Sequence, residues 1–338
     1  MKKNYLKLIY YKLFEYYDRK FKKLNPIIWQ KRKLHFLKDE EKFKKEKTKF
    51  QKILNWKKAA FTIIWDDFWV KSNKNWKLDN WWDSSWILKY LLKINKDFPN
   101  IKTTLFTTPN TSYINNWFYS DDYINNNKFN ISNSEFKDWI SLIRSKDFIE
   151  KNEISMHWLK HFQKDKKYWP QMEFEFKNEK ECLKDLKEWV WIFNKVWINT
   201  DWFCPPMFWI WYNSNFSLIK ALKKINFDYY CLWTKNFWLN YKKKQVSCLY
   251  PSYYNWMLNM PQNISLANSY EQIIKDIEKI IELNWFIVLK WHFVQKERLW
   301  DWLDENNYKK IEKILNYVEL KYKNEILYSN YKNISNKY

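Results

Sequence analysis

Glycine is absent from this chain of 338 residues, whereas tryptophan occurs 25 times. Glycine makes up about 7% of an average protein, and turns and helix ends use it where the backbone must be left-handed. Tryptophans stand at several such places, either after a helix-like stretch or in the pattern of a turn pair: Trp197, Trp285, Trp81-Trp82, Asp201-Trp202 and Asp301-Trp302. We therefore interpret most of the 25 as glycines encoded by UGA, a codon that some bacterial lineages read as glycine.

A few tryptophans, Trp29, Trp76 and Trp139, have less glycine-like surroundings and are interpreted as genuine. The alternative is a chain whose tryptophans are all real. Such a basic, aromatic-rich protein would bind nucleic acid by stacking and by phosphate contacts. The codons of the gene separate the two interpretations.

The positive charge is concentrated at the start of the chain. Residues 1–56 hold 18 Lys or Arg against 6 Asp or Glu, a net +12 of the overall +22. We interpret them as a basic helical extension that contacts an anionic membrane surface or nucleic acid or, as the plainer alternative, is only solvated. Nowhere is there a run of about 20 apolar residues, a cleavable leader or a CxxC pair among the four cysteines. These features predict a cytoplasmic protein, peripheral to the membrane at most.

From residue 57 onward, short β-rich runs alternate with amphipathic helical segments, which predicts parallel strands joined by right-handed crossovers. The predicted strands are 59–64, 102–107, 153–156, 198–203, 227–232, 245–249 and 286–289. Seven strands favour an α/β fold of the distorted (β/α)7 barrel type over residues 57–338. Active sites of such barrels lie at the carboxyl ends of the strands.

Polar residues follow three of these strands. Asp66 and Asp67 come at the end of the first, and His157 and His161 follow the third at a spacing that lets both imidazoles reach one ion. His292 follows the last strand. Exposed loop residues are the plainer interpretation of each motif alone. Together they predict an Asp-His-His site for a divalent metal such as Zn²⁺, with one Asp and one His left as base and acid.

With tryptophan read as glycine, these motifs resemble the polysaccharide deacetylase (NodB-homology) family, carbohydrate esterase family 4, over roughly residues 57–330. The resemblance implies that Asp66 is the general base and His292 the general acid. It further implies that Asp67, His157 and His161 hold the metal. The segment IKTTLFTTP at 101–109 is also similar to the second strand of the family.

The third family motif, Arg-x-Pro before an aromatic residue and glycine, is matched loosely by the segment from Cys204 to Trp209. Cys204 replaces the arginine that orients the base, and one extra residue precedes Trp209. The resemblance implies contacts with the substrate at Pro206, Met207 and Phe208, with a backbone N–H near Met207 or Phe208 donating to the oxyanion. The late histidine of the family follows a Leu-x-His pattern. In this chain two residues, rather than one, separate Leu289 from His292.

The resemblance implies hydrolysis of an N-acetyl or O-acetyl group on a carbohydrate, with an acetylated carbohydrate or a lipid-linked sugar as substrate. A related metal-dependent amide or ester hydrolase on the same scaffold is the alternative that the Cys204 departure favours.

Overall fold

The computed structural model describes residues 40–68, 84–107, 137–157, 174, 177–200, 202–204, 217–233, 251–254, 257–292 and 305–338. The chain divides into two compact units, residues 1–45 and residues 46–338. The predicted boundary between the basic extension and the catalytic domain, after residue 56, stays a prediction.

Strands and helices alternate through the second unit. In chain order the elements are α1 (Glu40–Leu54), β1 (Ala59–Phe68), α2 (Ser84–Asp97), β2 (Thr103–Thr107), α3 (Lys137–Arg144), α4 (Lys146–Lys151), β3 (Asn152–Met156), α5 (Glu179–Lys195), β4 (Trp202–Phe203), α6 (Ser217–Lys224), β5 (Tyr229–Trp233), β6 (Ser252–Tyr254), β7 (Met257–Gln262), β8 (Ile264–Ser265), α7 (Tyr270–Glu282), β9 (Phe286–His292), α8 (Glu305–Tyr322), β10 (Ile326–Tyr328) and α9 (Tyr331–Ser335).

The strands form one mixed sheet in the order β6-β7-β5-β4-β3-β2-β1-β9-β8, with β10 beside β1. The pairing of β6 with β7 is antiparallel, and the other described pairings are parallel. The predicted α/β class is therefore confirmed, with a mostly parallel sheet. Six of the predicted strands coincide with β1, β2, β3, β4, β5 and β9, and the one at 245–249 lies outside the described residues.

One short segment connects the two ends of the strand order. β7 pairs with β5 and β8 pairs with β9, and only Asn263 separates β7 from β8. The Asn263 amide donates to the Phe286 carbonyl at 2.6 Å, and its oxygen accepts the Val288 N–H at 2.9 Å. The side chain thus replaces the main-chain bonds that the break interrupts. The distorted (β/α)7 barrel stays a prediction.

The helices cover the sheet with apolar faces that their sequences set. In α7, Ile273, Ile277, Ile280 and Ile281 recur at helical spacing and are buried, as expected for a helix that packs one face on a core. Ser269 caps its first turn by accepting the N–H of Gln272. α5 begins with a capping box from Asn178 and Glu181. Of the helices in the described ranges, none combines the length and apolarity that crossing a membrane requires.

Five described residues have left-handed backbone: Asn55, Trp56, Trp197, Asn226 and Asn284. Asparagine tolerates this region, whereas tryptophan in it is strained. Trp197 has φ 62° directly after α5, which is the geometry expected of a glycine at a helix end. Trp56 has φ 64°, and both indoles are exposed.

Two of the tryptophans interpreted as glycines, Trp285 and Trp202, do not have the backbone conformation that the sequence predicts for them. After α7 it is Asn284, at φ 56°, that has the left-handed conformation, and the next residue, Trp285, is buried. The prediction that Trp285 has this conformation is wrong, because α7 ends at Glu282 and is capped by Leu283, so that Asn284 is the first residue past the cap. That position 285 is a glycine in the cell stays a prediction. Trp202 lies in β4 rather than in a turn. The pairs at 81–82 and 301–302 lie outside the described residues.

The short helix α9 contacts several strands through one residue. Tyr331 is fully buried, and its ring lies 5.7 Å from those of Tyr229 and Phe286 and 6.2 Å from that of Phe106. Its hydroxyl donates to the Pro261 carbonyl, and its N–H donates to Thr104 Oγ1 at 3.3 Å. These partners lie on β2, β5, β7 and β9, so α9 ties together strands that are not neighbours in the sheet.

Candidate active site

The carboxyl ends of β1 and β9 bring an aspartate and a histidine together. Asp66 pairs in register with His292, the last residue of β9. Both strands run further than the sequence predicts, and they include these residues rather than ending before them. Between Trp65 and Phe68, β1 has one more residue than β2, and such bulges change the direction of side chains near active sites. The backbone of Asp67 lies inside this irregular stretch.

His157 is held at the carboxyl end of β3 by two hydrogen bonds. Its backbone N–H donates to the Thr107 carbonyl at 3.0 Å, and its ring Nδ1 lies 3.0 Å from the Cys204 carbonyl oxygen. A carbonyl only accepts, so Nδ1 must carry the proton in this contact. A histidine whose Nδ1 donates to a carbonyl can bind a metal ion through Nε2, which is how many metal-binding histidines are oriented. The ring is buried.

Asp66 forms a buried ion pair. The Nζ of Lys290 lies 2.8 Å from Asp66 Oδ2, with the two side chains 4% and 1% exposed. Moving two such charges out of water is costly, and removing either partner would leave a buried uncompensated charge. The sequence reasoning missed Lys290, although a lysine inside the apolar run of β9 is a signal, because fully buried lysines are rare unless they are paired.

Cys204 lies beside this pair, one residue past β4. Its N–H donates to the Met156 carbonyl at 2.8 Å, and the Gln262 amide nitrogen lies 3.6 Å from its sulfur and 2.9 Å from that of Cys231. Burial, the neighbouring Cys231 and the charge of Asp66 raise the pKa of the Cys204 thiol well above its usual range. The thiol is therefore uncharged at neutral pH, unlike the arginine that the family motif has there.

Two tryptophans pack against each other, with their rings tilted by 37°, where β1 and β9 approach this region. Trp65 pairs in register with Trp291, their ring centroids lie 4.4 Å apart, and both are fully buried. The indole N–H of Trp291 has no hydrogen-bond partner among the described residues, although buried indoles usually have one. Each tryptophan directly precedes a predicted catalytic residue, and because side chains alternate along a strand, the two indoles lie on the face of the sheet opposite Asp66 and His292.

A second buried carboxyl, Glu153, lies at the other end of β3. It accepts bonds from the Tyr229 hydroxyl, from Thr104 Oγ1 at 3.1 Å and from the Lys332 N–H at 2.9 Å. Burial raises the pKa of Glu153 to about 7, even though these donors act to lower it. Its partners come from α9 and neighbouring strands, so its role is structural.

The predicted site residues are only partly within the described chain. The side chains of Asp66 and His157 are described, and of Asp67 and His292 only the backbone. His161, Pro206, Met207 and Phe208 lie outside the described residues. In the part of the chain that the structure describes, no group of three His, Cys, Asp or Glu side chains is arranged to hold a metal. The predicted metal site has ligands beyond that part and stays a prediction.

The mostly parallel sheet, with its polar residues at strand ends, defines an α/β fold that solved structures share. One is a "putative polysaccharide deacetylase" from Mycobacterium smegmatis, with a TM-score of 0.50, 12% identity, and coverage of 83% of this chain and 90% of that one. Another is a 4-alpha-glucanotransferase from Thermococcus litoralis, with a TM-score of 0.51, 13% identity and 83% of this chain covered. The chain spans 40% of the length of the glucanotransferase. No protein-family model and no curated protein matches the chain. The likeness establishes the fold alone.

Proposed function

We propose that the chain is a metal-dependent deacetylase that hydrolyses an N-acetyl or O-acetyl group on a carbohydrate. The observation that carries the proposal is the register pairing of Asp66 with His292 at the carboxyl ends of β1 and β9. The ordered motifs of the sequence and the fold shared with the mycobacterial protein support it. We further propose that the segment 257–265 closes the sheet into a distorted barrel, since β7 pairs with β5 and β8 with β9.

In this mechanism each side chain has one task. Asp66 takes a proton from the attacking water, and His292 gives a proton to the departing amine or alcohol. Backbone N–H groups at Met207 and Phe208, which follow Pro206, stabilise the oxyanion. Asp67, His157 and His161 would hold a divalent ion, in the proposal Zn²⁺. Such an ion, when bound, lowers the pKa of a water ligand towards about 7 and polarises the acyl oxygen.

The orientation of His157 supports the metal assignment. Because Nδ1 donates to the Cys204 carbonyl, a bond from His157 to the ion would come from Nε2. A carboxylate with two imidazoles is also a donor set that zinc prefers. The residues therefore fit the group.

We also propose that most of the tryptophans are glycines in the cell. The left-handed backbone of Trp56 and Trp197 supports this.

An acetylated envelope precursor or a lipid-linked sugar is the proposed substrate. The proposed location is the cytoplasmic face of a membrane, to which residues 1–56 would bind through their net positive charge.

The test measures metal content and acetate release from a panel of N-acetylated and O-acetylated oligosaccharides. Asp66→Asn should lower kcat/KM at least about 100-fold, because it removes the base, and His157→Ala should lower both activity and bound zinc. Asp147→Asn, which makes the same change in an exposed carboxylate of α4, should do neither. Undiminished activity in both site variants would eliminate this mechanism, and the panel separates amide from ester substrates.

A further inference from the structure

Lys290 reaches Asp66 from the neighbouring strand. It pairs in register with Ile64, two residues before Asp66 on β1. Residues two apart on a strand lie on the same face, about 6.6 Å apart along it. The four-carbon lysine side chain bridges this offset, and Nζ lies 2.8 Å from Asp66 Oδ2. The contact follows from the register of the two strands.

The backbone of Lys290 is held on both sides. β1 pairs with it on one side, and on the other it pairs with Ser265 and accepts the Leu266 N–H at 3.0 Å. Its ammonium group therefore starts from a fixed point inside the sheet. A buried cation so placed can hold an acceptor in one orientation, which is what a pre-organised catalytic group requires.

The family resemblance predicts an arginine directly after β4, and this chain has Cys204 there. Position 204 after β4 has a thiol where the motif has an arginine, while β9 supplies an ammonium to the same carboxylate. We propose that Lys290 is the positioning residue for Asp66: it holds one carboxylate oxygen and fixes the plane of the base. This inference rests on the proposed function, and it moves the positioning group from β4 to β9.

The catalytic test compares Lys290→Met with Lys290→Arg in the full-length chain, made with the residues that its gene's codons specify. The probe is a pentamer of N-acetylglucosamine, and the readout is acetate release. Lys290→Met should lower kcat about 100-fold, the scale of losing one pre-organised electrostatic contact, with KM changed less than about twofold. Lys290→Arg keeps the charge and should recover at least about tenfold of the loss, a rescue that a purely structural role would not give.

A second readout needs no substrate. Lys290→Met, Asp66→Asn and the double variant are compared in chemical unfolding. Each single variant removes one charge of a buried ion pair, so the ratio of folded to unfolded chains should fall about 100-fold in each. If the two losses were independent, the ratio for the double variant would fall by their product. We expect that ratio to be at least about tenfold higher than this product predicts.

The matched control is the exposed ion pair of Lys321 and Glu278, in which Lys321 Nζ lies 2.7 Å from Glu278 Oε1. Lys321→Met with Glu278→Gln should show coupling below about fivefold, as exposed pairs do, and unchanged acetate release. If Lys290→Met alone does not fold, a double variant at Lys290 and Asp66 that does fold still shows the coupling of the two charges, and one that also fails to fold counts against it.

The outcomes separate the two proposals. An active wild-type chain whose kcat survives Lys290→Met, or a cycle without coupling, overturns the role of Lys290 and leaves the deacetylase proposal standing. A wild-type chain that releases no acetate from the pentamer or from the wider panel rejects the proposed function and the role of Lys290 with it, even if the unfolding cycle shows the pair.

Discussion

Replacing Trp197 by glycine should stabilise the folded chain. Trp197 has φ 62° after α5 and its side chain is 78% exposed, so its indole gains little from burial. An L-residue in the left-handed region costs roughly 1–2 kcal/mol, and glycine relieves this cost. The ring lies 5.7 Å from the Arg144 guanidinium, an exposed cation–π contact of about 0.5–1 kcal/mol that the substitution removes. The net gain should be about 0.5–1 kcal/mol.

The measurement is the free energy of unfolding by urea, with two controls. Trp197→Ala loses the same ring but keeps a Cβ at φ 62°, so it should be no more stable than the wild type. Trp191→Gly changes an equally apolar residue, 55% exposed, inside α5 and 3.5 Å from Lys195 Nζ. It should destabilise by about 1 kcal/mol, from helix propensity and the lost contact. The reasoning is refuted if Trp197→Gly is less stable than Trp197→Ala.

Three further outcomes are expected. The pKa of Glu153 is raised to about 7, against 4.5 for the free side chain, so its carboxyl favours folding below pH 4.5 and loses that contribution as the pH rises through 7. The unfolding free energy of the wild type minus that of Glu153→Gln should therefore fall by about 3 kcal/mol between pH 4.5 and 8. A difference that does not change with pH would contradict the assignment. Joint replacement of Trp65 and Trp291 by glycine should leave stability unchanged or higher if glycine is native, whereas a loss of roughly 6–10 kcal/mol would show that both indoles belong in the core. Sequencing the gene should show UGA at positions 56 and 197 and at both of these positions; UGG there would favour the nucleic-acid-binding alternative.

Much of the fold can be predicted from hydrophobic patterning, and the part that was missed has a physical reason. β1, β2, β3, β5 and β9 are apolar runs between turn-forming residues, and they form where the sequence predicts. The segment of β7 and β8 was not predicted, because Asn259, Pro261 and Asn263 interrupt its pattern. Its strand conformation depends on β5 and β9 and on the Asn263 side chain, contacts with residues distant in sequence that no local pattern contains.

The candidate site shows the same division. The rule that catalytic groups follow strand ends points to Asp66, His157 and His292 as candidates. The structure has them at the carboxyl ends of β1, β3 and β9, and the pairing of β1 with β9 brings the first and last together, but their catalytic roles stay a prediction. Lys290 was missed because its contact with Asp66 depends on the register between β1 and β9. A prediction that assigns residues to strands but not strands to each other cannot place an ammonium group beside a carboxylate 224 positions away in the chain.

The bond from Tyr331 to Thr104 joins residues 227 positions apart. Strands β1 to β5 leave the ribosome long before the residue that fills the space between them, so the nascent chain cannot complete its core until synthesis has passed α9. During that interval Glu153 lacks the hydrogen bond from the Lys332 N–H. The aromatic rings on β2, β5 and β9 also lack Tyr331, the ring against which they pack. We therefore expect chaperones to matter most between the synthesis of β2 and that of α9, and the speed of translation between these two elements to affect the yield of folded chain.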